Sequence, residues 1–247
     1  MELSSIIGPI LGAIAVVGTA VLKGLSPAML WGGSAAMIVG VGAMAAVMTA
    51  YPMKDVVFSF KSLGLFLNGP KMDSEGAISS IERLAQLARK DGVLALEKEI
   101  DKLEDQLMKK GIEMVSMNTE ALIIENILLS EIDMMYEEEE IAAKFWEDMG
   151  AFAPTIGILG AVLGLMVVML NLDNPPEIGP GIKTAFIATL YGVALANLFA
   201  LPAGKKIKRM CHHKKVFREM VATGIIGIAQ GTAPKVLVER LHGMVHH

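Results

Sequence analysis

The chain predicts an all-α, polytopic membrane protein with four transmembrane helices and a helical cytoplasmic domain, and three observations predict it. Residues 3–22, 24–53, 149–172 and 184–204 contain no Asp, Glu, Lys, Arg or His. Each is as long as the roughly 20 apolar residues that a helix needs to cross the hydrocarbon core. The 247 residues are 53% hydrophobic, and their mean hydropathy is +0.52, a composition typical of integral membrane chains. No strand-like alternation runs for any length, so helices must satisfy the backbone inside the bilayer.

The elements follow in order. The first span starts after Glu2 without a basic leader and is longer than a signal-peptide core, so it reads as a retained span. The second opens near Trp31-Gly32-Gly33-Ser34, where a tryptophan anchors at the outer interface, and closes at Tyr51-Pro52. Together they make up residues 1–53. Residues 54–148 form a cytoplasmic helical domain. There Ile78, Ile81, Leu84 and Leu87, then Leu96, Ile100, Leu103 and Leu107, recur at helical spacing, with turns at Gly69-Pro70 and Asp91-Gly92. From Thr119 to Trp146, Leu122, Ile123, Ile127, Ile132 and Met135 predict a long helix running into the third span. Residues 149–204 carry spans three and four. Residues 205–247 are a basic tail with a helix, a loop at Gly231-Thr232-Ala233-Pro234 and a short final helix.

Topology follows from the basic residues. Lys205, Lys206, Lys208, Arg209, Lys214, Lys215 and Arg218 follow the fourth span and hold that end in the cytoplasm. Four spans return the N-terminus to the same side of a bacterial inner membrane. The connections at 23–27 and 173–183 then lie outside. The large loop lies inside, and residues 52–150 carry 21 acidic against 11 basic residues.

Enzyme chemistry finds no support, because no glycine-rich phosphate loop is present, and neither a cofactor nor a nucleic-acid partner is expected. The single cysteine, Cys211, excludes an internal disulfide and reads as a reduced cytoplasmic thiol. Cys211-His212-His213 lacks the second cluster that a tetrahedral metal site needs. Glu137 to Glu140 read as a solvated helix face, and His246 and His247 as remnants of an expression tag.

What chemistry exists lies in the last two spans. Gly157, Gly160 and Gly164 sit at i, i+3 and i+7, which lets a neighbouring helix come close. Pro154 removes a backbone hydrogen bond and can kink the third span. The fourth span holds Thr189 and ends at Pro202. A threonine hydroxyl in a span commonly bonds back to its own helix. The two spans run antiparallel, however, so Thr189 and Ala161 fall at comparable depth, with Thr155 nearer the cytoplasm. Intramembrane acids and bases mark ion relays, and these spans have none. If the protein moves ions, the titrating group comes from another subunit.

Taken together, these features resemble the MotA/PomA family of flagellar stator subunits over essentially the whole chain. Two N-terminal spans end at Tyr51-Pro52, a cytoplasmic domain follows, and then come the Pro154 helix, the Thr189 helix with Pro202, and the basic tail. The family's charged loop motif stands here as Ala88-Arg89-Lys90-Asp91-Gly92-Val93-Leu94-Ala95-Leu96-Glu97. The resemblance implies a pentameric ring in the membrane around a peptidoglycan-anchored MotB-type partner whose aspartate takes up the ion. It implies that Arg89 and Glu97, with Lys90 and Glu99 as neighbours, contact the rotor protein FliG. It also assigns Pro154 and Pro202 to the conformational step after ion binding. Like-charge pairs at i, i+4 (Glu97 and Asp101, Asp101 and Asp105, Lys98 and Lys102) would suit an electrostatically steered docking face. Sodium-driven members carry a threonine where this chain has Ala161. Losing that hydroxyl favours protons over the alternative of a sodium-driven, PomA-type stator. The four-span layout and the loop motif set aside an ExbB/TolQ-like energy transducer.

Overall fold

The structure is a computed structural model that describes residues 3–70 and 72–245; His246 and His247 lie outside them. All regular structure among the described residues is helical. The chain forms two compact units: residues up to Gly69 with Glu140–Met210, and Pro70–Glu139 with the residues from Cys211 on.

The first unit holds α1 (Leu3–Leu22), a 3-10 turn (Pro27–Leu30), α2 (Gly33–Ala50), α3 (Met53–Lys61) and α4 (Leu63–Asn68). It also holds the C-terminal part of α8 (Ala121–Leu170), α9 (Pro175–Ala194), a π-helical turn (Leu195–Ala200) and the start of α10 (Leu201–Ala229). By length and composition, α1, α2, α8 and the run Pro175–Ala229 can each cross a membrane. In α1 only 11% of the apolar window is buried by protein, so its isoleucines and leucines need a hydrocarbon surrounding or a partner. Residues 54–69 and 140–148, which follow the charge pattern of the loop in sequence, pack with the apolar helices. Phe60, Phe145, Trp146 and Phe199 meet edge to face with ring centroids 5.4–5.9 Å apart. The Trp146 indole N–H donates to the Ser59 carbonyl at 3.1 Å.

Two details depart from the sequence reading. The predicted 173–183 connection is mostly helix, because α9 begins at Pro175 behind Asn174. Proline suits a first helical turn, where its missing N–H has no partner to lose. The fourth span also changes pitch before Pro202, where the Leu201 N–H reaches the Ala196 carbonyl five residues back. Pro202 has no N–H for the Leu198 carbonyl, and the widened turn precedes it directly. By contrast, α8 runs as one helix through Pro154.

The second unit packs α5 (Ser74–Asp91), a 3-10 turn (Val93–Leu96), α6 (Glu97–Ile100), α7 (Gln106–Ser116), the start of α8, the rest of α10 and α11 (Pro234–Val245). Ile81, Leu84, Ile112, Ile225 and Leu237 are fully buried at its centre. Asp73 caps α5 through the Gly76 N–H at 2.9 Å, and Asp105 caps α7 through the Met108 N–H at 2.8 Å. Gly92 ends α5 at φ +83°, a left-handed conformation that glycine adopts without strain.

Here too the apolar periodicity misled in places. Residues 96–107 do not form one helix: α6 stops at Ile100 and α7 restarts behind Asp105. Leu96, Leu103 and Leu107 are buried, but from separate elements. On α8 the core residues are Ile124, Leu128 and Ile132, whereas Leu122, Ile123 and Ile127 are 59%, 47% and 38% exposed.

Candidate functional site

The centre of the membrane unit is the crossing of α8 and α9. A Cβ placed on Gly157 would lie 2.9 Å from the Ala188 carbonyl, one on Gly164 2.8 Å from the Ala185 nitrogen, and one on Gly192 2.5 Å from the Ala153 carbonyl. The two backbones therefore touch, and no larger residue fits without moving a helix. Pro154 takes part in this seam: its Cα is 3.2 Å from the Gly192 Cβ position. The glycine stripe is used inside the chain, leaving other faces for a partner.

Thr189 is half-buried beside Gly157, and its hydroxyl donates to the Ala185 carbonyl at 3.2 Å. That bond uses the hydroxyl proton and leaves oxygen lone pairs to accept. The Gly160 Cβ position is 2.8 Å from the Ala188 Cβ. Ala161 and Thr189 are each one residue from that contact, which agrees with the comparable depth expected from sequence. Thr155 is separate: it is exposed, and its hydroxyl turns back to the Phe152 carbonyl at 2.8 Å. Pro202 is exposed next to the π-helical turn, where the Asn197 amide donates to the Val193 carbonyl at 3.0 Å.

Sequence reasoning missed two polar contacts around this seam. The Tyr191 hydroxyl donates to the Leu30 carbonyl at 2.7 Å and accepts from the Gly32 N–H at 3.3 Å, which ties α9 to the 27–32 turn. The Tyr51 hydroxyl donates to Asp148 at 2.6 Å. Only the polar residues themselves could have signalled these bonds, since nothing in their spacing pairs them.

In the second unit, Arg89 and Lys90 are exposed on the last turn of α5, where cations complement the helix dipole. Glu97 is exposed across the Gly92 turn, and Leu94 between them is 73% exposed. Glu99 differs. Lys102 (2.7 Å) and Arg83 both donate to its carboxylate, whose side chain is only 13% exposed. The Lys102 hydrogen bond first, and then that of Arg83, holds the Glu99 carboxyl below the usual carboxylate range. The like-charge spacing read from sequence is not realised, because Glu97, Asp101 and Asp105 do not share a helix.

The acidic run on α8 is likewise not uniformly solvated. Glu137 and Glu138 are exposed, but Glu139 accepts from Lys214 at 3.1 Å and Arg218 at 2.9 Å. Glu140 pairs with Lys144 at 2.8 Å and Lys208 at 2.9 Å, and these hydrogen bonds, Lys144 first, lower its carboxyl to about 2. The missed signal is the basic tail, whose cations recur on one helix. Cys211 is fully buried, with its Sγ 3.6 Å from the Glu139 carbonyl.

A multi-pass helical chain whose last two spans are joined by a close-packed glycine seam bearing a threonine hydroxyl has the make-up of a membrane channel subunit. Comparison with known proteins agrees. The MotA/TolQ/ExbB proton channel family matches residues 99–220. Motility protein A of Bacillus subtilis (strain 168) is 34% identical over 244 residues, covering 98% of this chain and 90% of that protein. Motility protein A of Helicobacter pylori (strain ATCC 700392 / 26695) is 33% identical over 243 residues, covering 98% and 94%. The C. jejuni MotAB structure superposes with a TM-score of 0.92 at 29% identity, covering 99% of this chain and 96% of that one. The flagellar MotAB stator complex from Bacillus subtilis gives 0.86 at 33% identity, covering 97% and 94%. The chain belongs to the motility protein A family.

Proposed function

We propose that this protein is the ring subunit of a flagellar stator and, with a MotB-type partner, couples proton flow across the bacterial inner membrane to torque on the rotor. The observation that carries the reading is the full-length likeness to MotAB stator complexes in a chain whose spans hold no acid or base. A proton channel with such walls takes its titrating carboxylate from its partner. Residues 1–53 and 149–204 supply the membrane helices, with Thr189 and Ala161 beside the path and Thr155 near its inner end. Residues 54–148 are cytoplasmic and meet the rotor through the part of the second unit that carries Arg89 and Glu97, residues 205–247 form the basic tail, and both termini are cytoplasmic.

The mechanism follows from the cost of a carboxylate against an apolar wall. Neutralising the partner's acid removes that cost, and the ring's preferred position around it changes. One charge crossing 100 mV yields about 2.3 kcal/mol. Moving a two-state equilibrium from 1:99 to 99:1 takes about 5.5 kcal/mol. Each proton therefore biases a step, and sustained torque needs many in sequence. Pro154 in the α8–α9 seam and Pro202 beside the π-helical turn are where the helices respond.

Arg89, Lys90 and Glu97 are exposed and form the surface offered to the rotor protein FliG, and Glu99 supports it by fixing Arg83 and Lys102. The family resemblance makes the ring pentameric, and self-association is supported by the exposed Leu122, Ile123 and Ile127, which lie outside the lipid-facing spans. The missing hydroxyl at Ala161 supports protons, since a bare sodium ion needs several oxygen ligands. Proton uptake by vesicles containing this chain with and without its partner tests the reading. Uptake only with the partner is expected, and conduction by this chain alone overturns it.

A further inference from the structure

A cleft of about 280 Å³ opens where α2, α8 and α9 meet in the membrane unit. We propose that Glu177, the one charged residue lining it among the described residues, forms with Ser34 and Thr184 a cation-gathering vestibule at the outer mouth of the ion path. The inference rests on the stator reading above.

Helical stripes build the cleft. Glu177, Pro180, Gly181 and Thr184 fall at i, i+3, i+4 and i+7 and so share one face of α9. Gly160 and Gly164 line it from α8, and Ser34 from the first turn of α2. At about 30 Å³ per liquid water, the cleft has room for several waters. Thr184 donates to the Pro180 carbonyl at 3.0 Å, so its oxygen remains available as an acceptor. One turn further along α9 stands Ala188, packed on Gly160, and after it Thr189. The cleft thus runs beside the outer part of the seam and ends about a turn short of Thr189.

Location and charge fit an ion mouth. Glu177 lies in the first turn of α9, 28 residues before Lys205, or about 42 Å along a helical run at 1.5 Å per residue. It therefore stands at the membrane face opposite the basic flank. Lys183, the cation nearest along α9, follows six residues later and so points about 120° away round the helix. A carboxylate in a cleft with low-dielectric walls raises the local cation concentration.

The test compares Glu177→Gln and Glu177→Lys with the parent in cells that also make the partner, reading rotation speed against external pH at low and high ionic strength. The proton concentration giving half-maximal speed should rise about twofold for Gln, the effect of one unit charge about 8 Å away through water, and about fivefold for Lys. Maximal speed should stay unchanged, and the differences should shrink at high salt, where the Debye length falls. Unchanged half-saturation in both variants overturns the vestibule, as does loss of maximal speed alone. Thr189→Ala is the companion measurement: if it leaves rotation intact, the stator path itself is wrong, whereas a stalled Thr189→Ala with unaffected Glu177 variants removes only the vestibule.

Discussion

At the residue scale, charge placement separates neighbours that look alike in sequence. Glu97 and Glu99 are two positions apart, yet one is free to meet a partner and the other is held by Lys102 and Arg83. Arg89→Glu should therefore reduce swimming at least severalfold while membrane insertion stays normal, read by motility in soft agar and membrane fractionation; unaffected swimming removes Arg89 from the rotor surface. Glu140 gives a pH prediction with a definite sign. Its carboxyl is lowered to about 2 by Lys144 and Lys208, so its contribution is fully present above the unfolded value near 4.5 and is lost as pH falls toward 2. Glu140→Gln should destabilise by about 1 kcal/mol at neutral pH, and the two proteins should converge near pH 2, as followed by denaturant titration in detergent. These pairings could not be read from the acidic run itself. Glu137 to Glu140 look equivalent in sequence, and only the return of α10 alongside distinguishes them.

At the element scale, the spans were legible because hydrocarbon excludes charge so strongly that its absence marks them. The α8 helix, the Gly92 turn and the helix-loop-helix end of the tail were legible for similarly local reasons. Residues 96–107 were not. Leu96, Leu103 and Leu107 keep a helical rhythm, but Asp105 caps a new helix instead of continuing an old one, and a capping aspartate resembles any other charge until its N–H partner is known. Which face of α8 enters the core was not legible, since Leu122 and Ile123 are as apolar as Ile124. Of the candidate path, the comparable depth of Thr189 and Ala161 could be read from the antiparallel run of the two spans, while the bonds of Tyr191 and Tyr51 join distant segments and leave no periodic trace. The seam makes its own prediction. Gly164→Leu puts a side chain against the Ala185 backbone and should destabilise by about 1–3 kcal/mol, seen as a lowered Tm in detergent; an unchanged Tm would mean that the helices separate easily.

At the scale of the whole molecule, the chain is built to be incomplete. Its apolar helices exceed what its own interior buries, α1 most of all, and the apolar stretches 149–172 and 184–204 hold no acid or base. Rotation driven by a stator containing it should persist in sodium-free medium and stop when a protonophore collapses the proton gradient, measured on tethered cells. Arrest on removing sodium alone would move the protein to the other ion class.

The contact of α8 with α9 bears on stiffness. Side chains between two helices act as a cushion, since rotamers can shift and let one rod slide on the other. Here the rods meet main chain to main chain, with nothing between them to deform. We expect such a pair to move as a single spar, so that the flexing proposed for the working cycle falls at its inner end, at Pro154 and at the wide turn before Pro202.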